Sequence, residues 1–170
     1  MKKQQLPKLL KHHPYQAPQS MHYSNQNLVS YDRLWMNAPP SEYHSLAEKG
    51  KNTTCPHQRL AIDAKIARQI YDAEINQATL LQSACILSPG LKQLEQEREN
   101  RRYICLSSTI DTLFVEQTIH EKLDQQKALD IFWTFTGRDL YRLFVIERAW
   151  SPEDYENWLS ETLSNLLLRK

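Results

Sequence analysis

The sequence predicts an all-α protein, an antiparallel helical bundle preceded by a poorly ordered N-terminal extension. Three observations carry that expectation. From residue 56 to the end, apolar side chains recur at the three- and four-residue spacing of a helix face. Over the same stretch only two further prolines occur, Pro89 and Pro152, each directly after a serine able to cap a helix. No alternation of apolar and polar residues runs far enough to make a strand, and no internal repeat is present.

Six of the eight prolines (Pro7, Pro14, Pro18, Pro39, Pro40 and Pro56) fall within the first 56 residues. Each removes an amide donor and disfavours helix at the residue before it, so residues 1–27 are expected to be disordered or extended. Within 28–36, Leu28, Tyr31, Leu34 and Trp35 could share one face of a short helix. A second short helix is expected over 42–51. Residues 1–55 therefore read as an extension and 56–170 as the folded domain. The domain opens on a stripe of Leu60, Ile62, Ala64, Ile66, Ala67, Ile70 and Tyr71. A separate helix is expected over about 76–87, carrying Leu80, Leu81, Ala84 and Cys85. After Ser88-Pro89-Gly90, a helix over about 89–114 has a charged middle at 95–102 and apolar ends. Those charges read as solvated surface, because like charges such as Glu95 and Glu99 repel at i,i+4. Asp124 caps the next helix, Gly137 breaks or kinks it, and a helix over 138–148 follows. Ser151, Pro152, Glu153 and Asp154 open the last helix with a cap, a first-turn proline and two carboxylates at the positive end of the helix dipole.

Charge is nearly balanced, 21 basic against 20 acidic residues, which gives no global signal for nucleic acid or an anionic membrane. Three widely spaced cysteines argue against a disulfide framework and for a reducing compartment. No run approaches the roughly 18 apolar residues of a membrane span, so a cytoplasmic protein is expected. The histidines and Cys55 lack metal-ligand spacing, and Pro56 makes Cys55 and His57 a poor chelate, so no metal and no cofactor are expected. There is no phosphate loop, serine elbow or H-E-x-x-H pair, so the chain reads as a non-enzyme.

The stretch from Ala128 to Leu168 resembles the C-terminal, ligand-binding and dimerisation half of the tetracycline-repressor family of transcription regulators. The words that carry the likeness are Ala128-Leu129-Asp130-Ile131-Phe132-Trp133, Leu140-Tyr141-Arg142-Leu143 and Glu147-Arg148-Ala149-Trp150-Ser151-Pro152-Glu153-Asp154-Tyr155, followed by Trp158-Leu159 and Glu161-Thr162-Leu163. Many members carry a glycine where this chain has Ala149. The likeness implies that the last two helices pair with those of a second copy, and that the helices before them enclose a small effector. A homodimer is accordingly expected through Leu140, Phe144, Tyr155, Trp158 and Leu159, with Leu163 and Leu166 extending the stripe. A mostly apolar pocket is expected at Ile70, Leu81, Cys85 and Cys105, with Thr109, Phe132 and Phe135, which would favour a hydrophobic small molecule.

Such regulators open with a three-helix DNA-binding head, and no such head is expected from the residues here. Its first 49 residues contain no glycine and five prolines, and its few lysines would give only a weak, salt-sensitive attraction to phosphate. DNA binding is not expected from this chain alone. The function expected is an effector-binding and dimerisation module without a recognisable head. The alternative is a truncated regulator that acts only by forming heterodimers and takes no ligand.

Overall fold

In the computed structural model, residues 42–87 and 89–169 are described, without the side chains of 75–87, 89, 91 and 94; the expected helix over 28–36 lies outside them. The described chain is helical: α1 (Tyr43–Asn52), α2 (Pro56–Leu87), α3 (Pro89–Val115), α4 (Gln125–Phe135), α5 (Arg138–Tyr141), a π-helical segment (Arg142–Glu147) and α6 (Pro152–Leu167). Where two helices were expected between residues 56 and 87, one runs unbroken for 32 residues. Neither glycine nor proline lies between Pro56 and Leu87, so nothing interrupts the backbone ladder over a length of about 48 Å.

The caps act as the sequence suggests. The Asp124 side chain accepts from the Lys127 amide, and the Ser151 hydroxyl accepts from the Asp154 amide with Pro152 in the first turn. Helix α6 lies antiparallel along α2. Tyr155, Leu159, Leu163 and Leu167, one turn apart, face Leu60, Ala64, Ala67 and Tyr71 of α2 in a single core that also takes in Ile110, Leu113, Ala128 and Phe132. Helix α3 runs antiparallel to both α2 and α4, tied to the first by Thr109 to Asp63 (3.2 Å) and to the second by Tyr103 to Asp130 (2.9 Å). The end of α6 is pinned by a short bridge: the His120 amide donates to the Leu167 carbonyl at 2.8 Å, and the Arg169 amide to the Thr118 carbonyl at 2.9 Å.

Two expectations need correction. The folded unit begins before residue 56, because α1 docks on α2. Leu46 is buried, Gln69 donates to Glu42 at 3.0 Å, and Arg59 reaches the Thr53 carbonyl at 2.6 Å. The charged middle of α3 is also more than a solvated face. Glu74 of α2 pairs with Arg98 of α3 and, at 3.2 Å, with Arg138 of α5. Arg138 also takes Glu95 at 2.9 Å, while Arg102 holds Glu99 at 2.8 Å and donates to the Trp133 carbonyl at 2.9 Å. The i,i+4 spacing within α3 says nothing of partners on other helices, and those partners are what hold the charges. Among the described residues no helix is long and apolar enough to cross a membrane.

Candidate functional site

The segment between α5 and α6 departs from regular helix. Residues 142–147 form a π-helix, whose widened turn shifts the side chains that follow out of α-helical phase. Ala149 then adopts a φ of 56°, the left-handed region that favours glycine, and the Trp150 amide closes back on the Phe144 carbonyl at 3.0 Å. The reversal delivers Trp150 against Phe144 (ring centroids 4.7 Å apart) and Trp158 (6.2 Å), and Phe144 stacks on Trp158 at 4.6 Å. Tyr155 lies beneath, edge-on to Tyr141 at 5.1 Å. One side of this aromatic corner is core and the other is surface: Leu143 is 39% exposed, Ile146 49% and Trp150 36%. Arg148 precedes the corner, Glu153 and Asp154 follow it, and all three are exposed.

The residues expected at a dimer interface separate into two groups. Tyr155, Leu159 and Leu163 are completely buried inside the single chain, so they cannot face a partner without unpacking it. Leu140, Phe144 and Trp158 are half-buried against the core, and Leu166 is 39% exposed. The exposed apolar residues that periodicity overlooked are Leu143, Ile146 and Trp150. Their phase depends on the π turn, which leaves no mark in residue spacing. The positive φ at Ala149 is seen only in the structure, because an alanine carries no sequence mark of that geometry.

The described residues among those expected to line an effector pocket sit in different surroundings. Phe132 is fully buried in the core, and Ile70 and Phe135 pack against that core. Cys105 is exposed, and Thr109 donates to Asp63 across the α2–α3 seam. The side chains of Leu81 and Cys85 lie outside those described. A shallow groove of about 470 Å³ does run between the first turns of α2 and the last turns of α6, lined by His57, Gln58, Ala61, Ser160, Glu161, Ser164 and Asn165. It is open and lined mostly by polar residue types, unlike the enclosed cavity expected for a hydrophobic ligand. Among the described residues, no group of three or more His, Cys, Asp or Glu could hold a metal ion.

Polar chemistry concentrates instead where α1, α2 and α3 meet. Arg59, 5% exposed, grips Glu116 with both guanidinium nitrogens, at 2.8 and 2.9 Å. That pair holds the Glu116 carboxyl below its usual range. One turn on, Asp63 receives only the Thr109 hydroxyl among the hydrogen bonds found at its carboxylate. It keeps some surface, but the crowding of its oxygens strips away most of their water, and this desolvation pushes its carboxyl up to about 7, against the opposing pull of Thr109 and Arg59. No protein-family model matches this chain, and neither a curated protein nor a solved structure matches it.

Proposed function

We propose that this chain is a protein-interaction module that self-associates through the aromatic corner at residues 143–158, the dimerising role that its resemblance to the C-terminal half of tetracycline-repressor-type regulators implies. The observation that carries the reading is that three large apolar side chains, Leu143, Ile146 and Trp150, are each more than a third exposed within one short irregular segment. Single exposed apolar residues are ordinary, so it is their number in so short a stretch, beside exposed charges, that favours a contact surface. Tryptophan is among the residues that most often anchor such contacts. The rim suits a two-fold pairing: an axis near Trp150 would set Arg148 of one copy against Glu153 and Asp154 of the other. The left-handed Ala149 adds support, since glycine stands there in many members of the family that the sequence resembles. An effector-binding role has less behind it, because Phe132 is locked in the core and Cys105 faces outward.

Sedimentation velocity over a concentration series tests this reading, on the native chain and on a variant carrying Ile146→Glu with Trp150→Glu. Ile146 is exposed, whereas Trp150 packs on Phe144 and Trp158 on one side, so helical circular dichroism is recorded on the variant and its oligomeric state is read only where the native helix content is kept. The native chain is expected to sediment as a dimer and the variant as a monomer. A native chain that stays monomeric at every concentration, or a variant that still dimerises, would overturn the proposal.

A further inference from the structure

The stretch after α5 holds one residue more than a regular helix would, on two observations. Residues 142–147 are wound as a π-helix, in which each amide reaches back five residues instead of four. The bond that closes the segment, from the Trp150 amide to the Phe144 carbonyl, spans six residues, one more than the usual helix-ending bond. Both ends of the stretch are fixed. Upstream, Arg138 is tied to Glu74 and Glu95, and Tyr141 is buried in the core. Downstream, Trp150 rests on Phe144 and Trp158. Between fixed ends the spare residue is either wound into a π turn or passed on into the reversal.

One side-chain pair distinguishes these outcomes. Arg142 and Glu147 form an ion pair with each other. Residues five apart in an α-helix lie about 140° apart around the axis and about 7.5 Å along it. It is residues three and four apart that meet. In α register Arg142 would be set over Val145 and Ile146, and Glu147 over Leu143 and Phe144, with no opposite charge for either within the segment. A π turn brings residues five apart over one another. Asp139, three residues before Arg142, is on α5 in either register and does not discriminate. The Arg142–Glu147 pair is thus made in one register and lost in the other.

We propose that this pair is a clasp that holds residues 142–147 in π register, and that the register sets the reversal at Ala149 on which the exposed surface of the aromatic corner depends. The first half concerns the chain alone; the second rests on the reading of that corner as a contact surface. With the clasp open the segment relaxes toward α register and the spare residue enters the turn at 148–150. The Trp150 amide then loses the Phe144 carbonyl, and the surface of Leu143, Ile146 and Trp150 is broken up. The two side chains are 35% and 50% exposed, and a pair so open to water shifts an equilibrium by about two- to fivefold. The clasp therefore tilts the balance between registers, and a like charge in place of one partner tilts it the other way.

Hydrogen exchange at the Trp150 amide, followed by NMR and corrected for the intrinsic rate of each sequence, reads the clasp on the full chain. Glu147→Lys sets a like charge against Arg142 and is expected to speed that exchange by about three- to tenfold. The charge-swapped variant, Arg142→Glu with Glu147→Arg, remakes the pair and should return the rate to within about twofold of the native chain. In about 1 M salt, where charges are screened beyond roughly 3 Å, the native rate should rise toward that of Glu147→Lys. An unchanged rate in Glu147→Lys, or a charge-swapped variant as fast as Glu147→Lys, would overturn the clasp. Sedimentation of the same variants reads the second half: Glu147→Lys should self-associate more weakly than the native chain, and the charge-swapped variant as well as it. Equal self-association of all three, with exchange raised in Glu147→Lys, would show that the register does not shape the contact surface. A native chain that never self-associates would remove the contact-surface reading, and the exchange rates would still decide the clasp.

Discussion

Ala149 carries a φ of 56°, a conformation in which the Cβ crowds the backbone and which costs an L-residue about 1–2 kcal/mol. Its position explains why the chain accepts that cost: the left-handed step lets the Trp150 amide close on Phe144 and folds the indole onto the corner. Glycine adopts the same geometry without strain but loses more freedom on folding. Ala149→Gly is therefore expected to stabilise the chain by about 0.5–1 kcal/mol, the strain relieved less the added entropy. In urea this would appear as a higher midpoint at unchanged slope. A lower midpoint would mean that the Ala149 methyl contributes packing greater than its strain.

At the scale of elements, the junction of α2, α3 and α5 depends on Glu74. Its carboxylate is shared between Arg98 and Arg138, and its side chain, like that of Arg138, is only 12% exposed. Helix α5 has just four residues, too few to be stable by itself, so its place is set by Tyr141 in the core and by this ion pair. Removing one partner of a buried pair leaves the other charge without compensation. Glu74→Ala is expected to cost about 2–3 kcal/mol, the residual solvent access keeping it below the cost for a fully buried pair. Thermal melting would fall by about 2–4 °C for each kcal/mol lost. A change of less than about 0.5 kcal/mol, the range of ordinary surface substitutions, would show that water or Glu95 replaces Glu74 readily.

For the whole molecule, the packing of α6 on α2 decides which surface is left for a partner. Leu163 is completely buried and Leu166, on the same helix, is 39% exposed. Leu163→Ala should cost about 2–5 kcal/mol through lost burial and the cavity left behind. Leu166→Ala should stay within about 0.5 kcal/mol in the isolated chain. Denaturant titration of the two variants beside the native chain, at one low protein concentration, separates core from surface. Equal losses would mean that α6 sits on α2 with a different face.

Much of this architecture is legible in the residues alone. The helical class, the caps at Asp124 and Ser151, and the apolar stripes of α2 and α6 follow from local chemistry, because hydrogen bonds to a cap and the three- to four-residue recurrence of side chains depend only on near neighbours. What faces each stripe does not. Tyr155, Leu159 and Leu163 read equally well as a seam for a second copy or for the same chain, and it is the antiparallel α2 that covers them. The pairing of Glu74 with Arg98 and Arg138, and of Arg59 with Glu116, joins residues many turns apart in sequence. The π turn that exposes Leu143 and Ile146 leaves no trace in residue spacing. Local order was written in the sequence; which apolar faces are inside, which charges meet and where Asp63 sits were decided by tertiary packing, because burial and Coulomb energy depend on distance in space.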